Sequence, residues 1–318
     1  MNLYLAIERY LTLKRSLGAV FAAEARILWM LGRAVGDVSL EELSPEFCYV
    51  FCRGKGPPTR WWERKHYALQ GFFAFLVSRR HLDASPLMEK APKSPRTFEP
   101  YIYSSEELER LVDATAILES ERSPLQPTTF RVLLLVLYAA GLRPGEGLRL
   151  RCCDVDLGGH VLAIWDTKFF KSRFVPIGQQ LGQVLESYRT KRLALSMPEG
   201  QHSAFFPTVT GEPIRLKWLE RVFARLRGEA GISRPAGTRW QPRLHDLRHT
   251  FAVHRLIAWY REDADVQALL PLLATYLGHI NVSSTQAYLS MTSELLAEAS
   301  RRFDVYAAIG REGLKHGH

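Results

Sequence analysis

Apolar residues in the first 80 positions recur at intervals of three and four, the spacing that lines one face of an α-helix. The pattern is clearest at the start of the chain, at Leu3, Ala6, Ile7, Tyr10 and Leu11. It returns between residues 69 and 77, and no stretch alternates between apolar and polar positions as a half-buried strand does. Residues 1–87 are therefore predicted to form a bundle of about four helices.

A segment rich in proline and basic residues interrupts this pattern at residues 88–103. Its three prolines block helix continuation, and its cations suit either a solvated hinge or a strap along a phosphate backbone. Both interpretations stay open. The helical pattern resumes at Ser104, which with Glu107 has the spacing of a capping box. We therefore expect a linker at residues 88–103 and a second domain at residues 104–318.

The second domain combines helical patterns with two short runs that are typical of strands. Residues 128–140 predict an apolar helix, and residues 160–166 and 173–177 predict two strands joined by a polar turn. Further helices are predicted over residues 218–226, 245–259, 266–277 and 293–308. The predicted fold is mainly α with a small β-sheet: an all-helical first domain and an α+β second domain.

The composition is that of an ordinary folded protein with a surplus of positive charge. Among 318 residues, 42 are Lys or Arg and 33 are Asp or Glu, so the net charge is +9. Hydrophobic residues at 47% and charged residues at 24% exclude a disordered chain. The longest apolar run, residues 132–142, is too short to span a bilayer, and residues 1–17 lack the core of a signal peptide. We expect a cytoplasmic protein.

The four cysteines, at positions 48, 52, 152 and 153, lack the spacing of a zinc site. We interpret them as reduced and mostly buried thiols.

The positive charge fits either a basic surface or the footprint of a nucleic acid, and clustering favours the second. One short stretch holds five cations and a single acidic residue; the cations are Arg53, Lys55, Arg60, Arg64 and Lys65. Trp61, Trp62 and Tyr67 alternate with them. These rings suit packing on sugar or base, and a role of at least one Trp in the core fits equally well.

Several polar residues of the second domain fall at element boundaries, where a rigid scaffold presents functional side chains. Arg143 lies in a Gly/Pro turn after the apolar helix, and Lys168 follows the first predicted strand. Taken singly, each is also compatible with a solvated turn. His279 closes a helix, and Tyr288 follows nine residues later.

The segment 245–249 places His245, Arg248 and His249 on one helical face. This face could bind an anion, bind a metal through the two histidines, or be solvated. A guanidinium beside the metal and the lack of a third ligand at a defined spacing argue against the metal, so none is predicted.

Together, the second domain offers two guanidiniums, two imidazoles and one ammonium, a set suited to a phosphodiester at its transition state. A phenol, whose ordinary pKa is near ~10, needs a base or a cationic environment to attack at neutral pH. The set supplies both, so Tyr288 is predicted to be a nucleophile.

In identity, order and spacing, these residues resemble the tyrosine recombinase (phage integrase) family. The resemblance covers the whole chain: a helical core-binding domain at 1–87, a linker, and a catalytic domain at 104–318. Six positions match: Arg143, Lys168, His245, Arg248, His279 and Tyr288.

The resemblance implies a site-specific DNA recombinase or integrase, an enzyme that cuts and rejoins DNA through a 3′-phosphotyrosyl intermediate. Arg143 and Arg248 would hold the nonbridging oxygens of the scissile phosphate, and His245 and His279 would assist through hydrogen bonds and proton transfer. Glu146 would brace the turn at Arg143.

In the same scheme Lys168 would be the general acid for the departing 5′ hydroxyl, and Tyr288 would attack the phosphate. Because the covalent link conserves the bond energy, no metal, ATP or other cofactor is implied.

The implied partner is double-stranded DNA at a specific site, bound by a homotetramer in the synaptic complex, with a nucleoid-associated location and no membrane. Two alternatives stay open: DNA relaxation like that of a type IB topoisomerase, and a non-catalytic DNA-binding regulator with the same fold. The regulator would be expected to lack a catalytic residue, and the basic helical domain favours site choice over simple relaxation.

Overall fold

In the computed structural model, helical periodicity in the first part of the chain produces four α-helices among the described residues. The structure describes residues 1–19, 21–54, 59–88, 90, 99–165, 172–195, 197–198, 200–238, 240–279 and 281–301. It divides into two compact units, Met1–Phe98 and Glu99–His318. The helices of the first unit are α1 (Leu3–Ser16), α2 (Ala22–Val35), α3 (Pro45–Arg53) and α4 (Arg60–Ser78).

The core of the first unit follows the apolar stripe of the sequence. All five residues of the stripe in α1 are buried, from Leu3 to Leu11. N-cap side chains stabilise the first turns of α3 and α4. Ser44 accepts a hydrogen bond from the backbone N–H of Phe47, and Thr59 accepts one from that of Trp62. The predicted four-helix bundle is therefore confirmed for this unit.

The second unit contains eight further α-helices whose full bounds lie in its described part, and a short 3₁₀-helix, Ala287–Ser290, follows the eighth. They are α5 (Ser105–Asp113), α6 (Gln126–Ala139), α7 (Pro144–Arg149), α8 (Gln179–Ala194), α9 (Leu216–Glu229), α10 (Asp246–Arg261), α11 (Val266–Leu277) and α12 (Ser283–Gln286). The predicted capping box begins α5, with both reciprocal hydrogen bonds between Ser104 and Glu107 present. Residues 293–301 are also helical, and the rest of the helix predicted at 293–308 lies outside the described residues.

A small antiparallel sheet has the strand order β1 (Val155–Asp156), β2 (Val161–Ile164) and β3 (Arg173–Pro176). The register pairs Ile164 with Arg173, so Arg173 stands at the end of the β2–β3 hairpin. Together with the helices, the sheet confirms the mainly α fold with an α+β second part.

Gly141, which follows α6, shows why the chain turns where it does. Its φ is +58°, and a Cβ at this position would lie 2.6 Å from the ring of Phe251 on α10. Glycine allows both the left-handed conformation and the close approach of the two helices. The turn leads directly into Arg143.

In the described part of the chain, no helix combines the length and apolarity needed to cross a membrane. Cys48 and Cys52 are buried, Cys152 is half-buried and Cys153 is exposed, and all four are free thiols. The expectation of mostly buried thiols therefore fails for Cys153.

Candidate active site

Arg143 is held at the start of α7 by two anchors. Its backbone N–H and its Nη1 donate to the two carboxylate oxygens of Glu146, at 3.0 and 2.7 Å. Its Nη2 donates to the carbonyl of Gly278, 3.1 Å away at the end of α11. The guanidinium is thereby fixed between two elements while its side chain keeps 29% exposure.

Glu146 is a buried carboxylate shared by several guanidiniums. Arg173, from β3, donates to it through Nη1 at 3.2 Å and Nη2 at 2.9 Å, and Nη1 of Arg248 lies 4.0 Å away. Burial alone would raise the pKa of Glu146, but hydrogen bonds and charges from Arg173 and Arg143 lower it to about 2. The carboxylate is therefore ionised and balances part of the positive charge, which supports its predicted role as a brace.

Arg248, on α10, joins the ends of α6 and α11. Its Nη1 donates to the carbonyl of Gly141 at 2.8 Å, and its Nη2 donates to the carbonyl of Leu277. Only 2% of the side chain is exposed. Burial and the charge of Arg143 lower the pKa of Arg248 to about 10, so it remains a cation at neutral pH.

Three histidines lie beside these cations: His245 and His249 at the start of α10, and His279 after α11. Burial, followed by neighbouring positive charges, lowers the pKa of each to about 4. All three are therefore neutral at pH 7 and can accept protons. The rings of His245 and His249 meet edge to face at 5.0 Å, and Nδ1 of His279 lies 2.8 Å from the hydroxyl of Thr285.

Tyr288 lies in the 3₁₀-helix after α12 and is only 3% exposed. Its hydroxyl is 3.2 Å from Nδ1 of His249, and its ring stacks on His279 with centroids 6.1 Å apart. Burial raises the pKa of Tyr288, whereas the charges of Arg248 and Arg143 and a hydrogen bond from Arg248 oppose this rise. At neutral pH the hydroxyl is therefore protonated and needs an acceptor before it can attack.

The structure brings five of the six predicted catalytic residues together around one site: Arg143, His245, Arg248, His279 and Tyr288. The sixth, Lys168, lies outside the described residues. The chemical role of each residue stays a prediction. Among the described residues, no cluster of three or more His, Cys, Asp or Glu side chains could hold a metal ion.

Two residues of the site, Arg173 and His249, are not among the catalytic residues predicted from the sequence. Position 173 is predicted only as the start of the second strand, and the contact of Arg173 with Glu146 depends on the strand register. The sequence predicts His249 only as part of a helical face that binds an anion, binds a metal or is solvated, whereas in the structure its ring faces the hydroxyl of Tyr288. The sequence does contain a signal for His249: it follows His245 by four residues, which places both imidazoles on the same helical face.

The basic stretch of the first unit divides into exposed and buried cations. Arg53, Arg60 and Arg64 are exposed, and Lys55 lies outside the described residues. Lys65 is only 8% exposed: its Nζ donates to the carbonyl of Phe51 at 2.7 Å and lies 4.5 Å from that residue's ring centre. This burial argues against the predicted contact of Lys65 with DNA.

The aromatic residues of this stretch also divide. Trp62 is buried in the core, whereas Trp61 and Tyr67 are 43% and 63% exposed. The expectation of a core role for one Trp therefore holds for Trp62.

Comparison with known proteins gives concordant matches. The model of the phage integrase family matches residues 103–294. A Sinorhizobium fredii protein named as an integrase/recombinase, y4rE, is 36% identical over 299 residues, which cover 93% of this chain and 94% of that protein.

Two solved structures are similar to this chain in fold. The integrase of transposon Tn1549 in complex with a circular intermediate DNA has a TM-score of 0.68 at 15% identity, covering 93% of this chain and 99% of that one. The lambda integrase tetramer bound to a Holliday junction has a TM-score of 0.66 at 16% identity, covering 91% of this chain and 77% of that one.

Proposed function

The chain belongs to the phage integrase family, and on that premise we propose that it is a site-specific DNA recombinase that cuts and rejoins DNA through Tyr288. The observation that carries the proposal is the placement of the Tyr288 hydroxyl. It is buried beside a neutral imidazole, and the positive charges of Arg143 and Arg248 act on it. A nucleophile, a proton acceptor and cations for one phosphate therefore lie in one site.

Arg143 and Arg248 bind the nonbridging oxygens of the scissile phosphate, whose charge grows as the nucleophile attacks. Arg143 is the accessible member of the pair, whereas Arg248 is held by backbone carbonyls at the floor of the site. Both guanidiniums are fixed before DNA binds, so little reorganisation is needed in the transition state. His245 and His279 assist with hydrogen bonds and proton transfer.

The reaction proceeds by two transesterifications. The hydroxyl of Tyr288 gives its proton to a neighbouring imidazole as its oxygen attacks phosphorus, the bond from phosphorus to the 5′ oxygen breaks, and Lys168 gives the 5′ oxygen a proton. The resulting 3′-phosphotyrosyl link is then attacked by a 5′ hydroxyl from a second duplex, and the tyrosine leaves. Each step replaces one phosphoester by another. The chain's own residues can therefore supply the cations that stabilise the transition state and the groups that exchange protons.

We assign residues 1–87 as the core-binding domain, residues 88–103 as the linker and residues 104–318 as the catalytic domain. The exposed Arg53, Arg60 and Arg64, with Lys55, contact the DNA backbone outside the catalytic site.

Double-stranded DNA at a specific site is the substrate, and four copies of the chain act together in the synaptic complex. The lambda integrase tetramer on a Holliday junction, which shares the fold, supports this assembly. Because the substrate is cellular DNA, we propose that the enzyme works in the cytoplasm in association with the nucleoid.

A suicide substrate with a nick beside the scissile phosphate tests the proposal, because loss of the short 5′ fragment traps the adduct. The wild-type chain is expected to form a covalent complex, and Tyr288→Phe is expected to bind the same DNA without forming it. Tyr138→Phe is the matched control, because Tyr138 also bonds a histidine of α10, His254, at 2.9 Å.

The alternatives give different outcomes when adduct formation is combined with assays of plasmid relaxation and of exchange between two sites. Sequence-specific binding by the wild-type chain without any adduct would favour the regulator. Adduct formation with relaxation of any supercoiled plasmid, and no exchange between two sites, would favour the topoisomerase.

A further inference from the structure

Among the three histidines of the site, His249 is the one whose ring nitrogen reaches the hydroxyl of Tyr288, at 3.2 Å. Nδ1 of His279 faces the hydroxyl of Thr285, and the ring of His279 stacks on the face of Tyr288 instead of meeting its oxygen. The ring of His245 packs edge to face against His249. The contact with the reacting oxygen therefore belongs to His249.

The direction of the hydrogen bond follows from the donors around the phenol. Arg248 also bonds to the side chain of Tyr288, and a guanidinium can only donate. The hydroxyl of Tyr288 carries a single proton, which is then directed to Nδ1 of His249. This requires the tautomer of His249 that carries its proton on Nε2.

The surroundings keep His249 ready to accept this proton. The charged and titratable groups that face it are Arg243 and His245 just before α10, Arg248 on α10, His279 after α11, and Tyr288. Burial, and then the charges of Arg243 and Arg248, lower the pKa of His249 to about 4. The ring is neutral throughout the physiological range.

We propose that His249 is the general base that activates Tyr288, an inference that rests on the function proposed above. As the phenolic oxygen bonds to phosphorus, its proton passes to Nδ1 of His249, and the bond from phosphorus to the 5′ oxygen breaks. The departing oxygen takes its proton from the general acid. In the rejoining step the incoming 5′ hydroxyl gives its proton to the general acid, now deprotonated, and bonds to phosphorus. The bond from phosphorus to the Tyr288 oxygen breaks, and the imidazolium of His249 returns its proton to that oxygen.

Binding of the DNA phosphate favours the proton transfer to His249. A buried imidazolium beside Arg248 is unfavourable in the free site, which explains its lowered pKa. The negative charge of the phosphate offsets part of that repulsion, so the base gains strength where it is needed.

His249→Asn tests the proposal on the nicked substrate, with single-turnover rates of adduct formation measured from pH 6 to pH 8.5. His254→Asn is the control, because it removes a histidine from the same helix that also bonds a tyrosine hydroxyl. Loss of a general base is expected to slow adduct formation by about 10²-fold or more at neutral pH. The rate of His249→Asn should rise about tenfold per pH unit as hydroxide replaces the base, whereas the wild-type rate stays nearly constant.

Rescue by exogenous imidazole of the cavity variant His249→Ala would support the role further, since a structural role would not respond to a free base. A rate and a pH profile like those of His254→Asn would overturn the proposal. If the wild-type chain formed no adduct at all, the proposed function itself would fail, which is a separate outcome.

A measurement on the wild-type protein covers the case in which the His249 variants do not fold. The ¹⁵N chemical shift of Nδ1 in His249 should be that of an unprotonated nitrogen accepting a hydrogen bond. A protonated Nδ1 at pH 7 would overturn the assignment.

Discussion

Replacing Glu146 with Gln removes a carboxylate that contacts Arg143 and Arg173 and lies 4.0 Å from Arg248, while keeping the size of the side chain. The pKa of Glu146 falls from an ordinary value of 4.5 to about 2, which corresponds to about 3 kcal/mol of stability at pH 7. Breaking a buried ion pair by removing one partner costs about 3–5 kcal/mol, in agreement with that figure. We therefore expect Glu146→Gln to lower the free energy of unfolding of the second unit by about 3 kcal/mol.

The sign of the pH dependence follows from the lowered pKa. The stabilisation by Glu146 is fully present above its ordinary pKa of 4.5 and is lost as the pH falls through about 2. The difference in stability between wild type and Glu146→Gln should therefore shrink steadily over this range.

Urea unfolding at several pH values, followed by near-ultraviolet circular dichroism, measures the difference. Glu294→Gln is the control, because Glu294 forms an exposed ion pair with Arg261 and should leave stability close to that of the wild type at pH 7. The reasoning would be refuted by a Glu146→Gln variant that is less than about 1 kcal/mol destabilised at pH 7 and that has the acid dependence of the wild type.

Two further predictions concern catalysis and DNA affinity. Lys168→Ala should slow cleavage of an ordinary phosphodiester by about 10²-fold or more, but should cleave a substrate with a 5′-bridging sulfur at nearly the wild-type rate, because a thiolate needs no proton. Equal defects on both substrates would exclude Lys168 as the general acid. Replacing Arg53, Arg60 and Arg64 with Gln should weaken DNA binding and reduce the slope of log affinity against log salt by up to about 3, measured by fluorescence anisotropy, and an unchanged slope would place them outside the DNA contact.

The helices were predictable from the sequence because their buried faces follow a simple period. Helix α11 occupies the predicted residues, Val266–Leu277, since Asp265 caps its start and Gly278 ends it in a left-handed conformation. Strand β1 was not predicted, because two residues are too few to show an alternating pattern. Such a strand forms only because β2 offers it a partner.

Most members of the site were predictable from the sequence, but Arg173, His249 and the contacts within the site were not. The types and order of the polar residues identified Arg143, Arg248 and Tyr288, because few reactions need this combination. The hydrogen bond between His249 and Tyr288 joins residues 39 positions apart, and only the packing of α10 against the 3₁₀-helix brings them together.

The prediction from residue type that Lys65 is exposed is also wrong. A lysine in a basic stretch is expected to be exposed, yet the second turn of α4 directs this side chain to the end of α3. There the carbonyl of Phe51 satisfies its ammonium, and burial lowers its pKa. Burial of this kind depends on how two helices pack and cannot be predicted from the local sequence.

The covalent link itself provides the most direct test of the central claim. The wild-type chain is trapped on a nicked substrate and digested with protease and nuclease, and the modified peptide is sequenced by mass spectrometry. We predict a nucleotide joined through its 3′ phosphate to Tyr288, with a free 5′ hydroxyl on the released strand. Attachment to another residue, or a 5′-phosphate linkage with a free 3′ hydroxyl, would contradict the account.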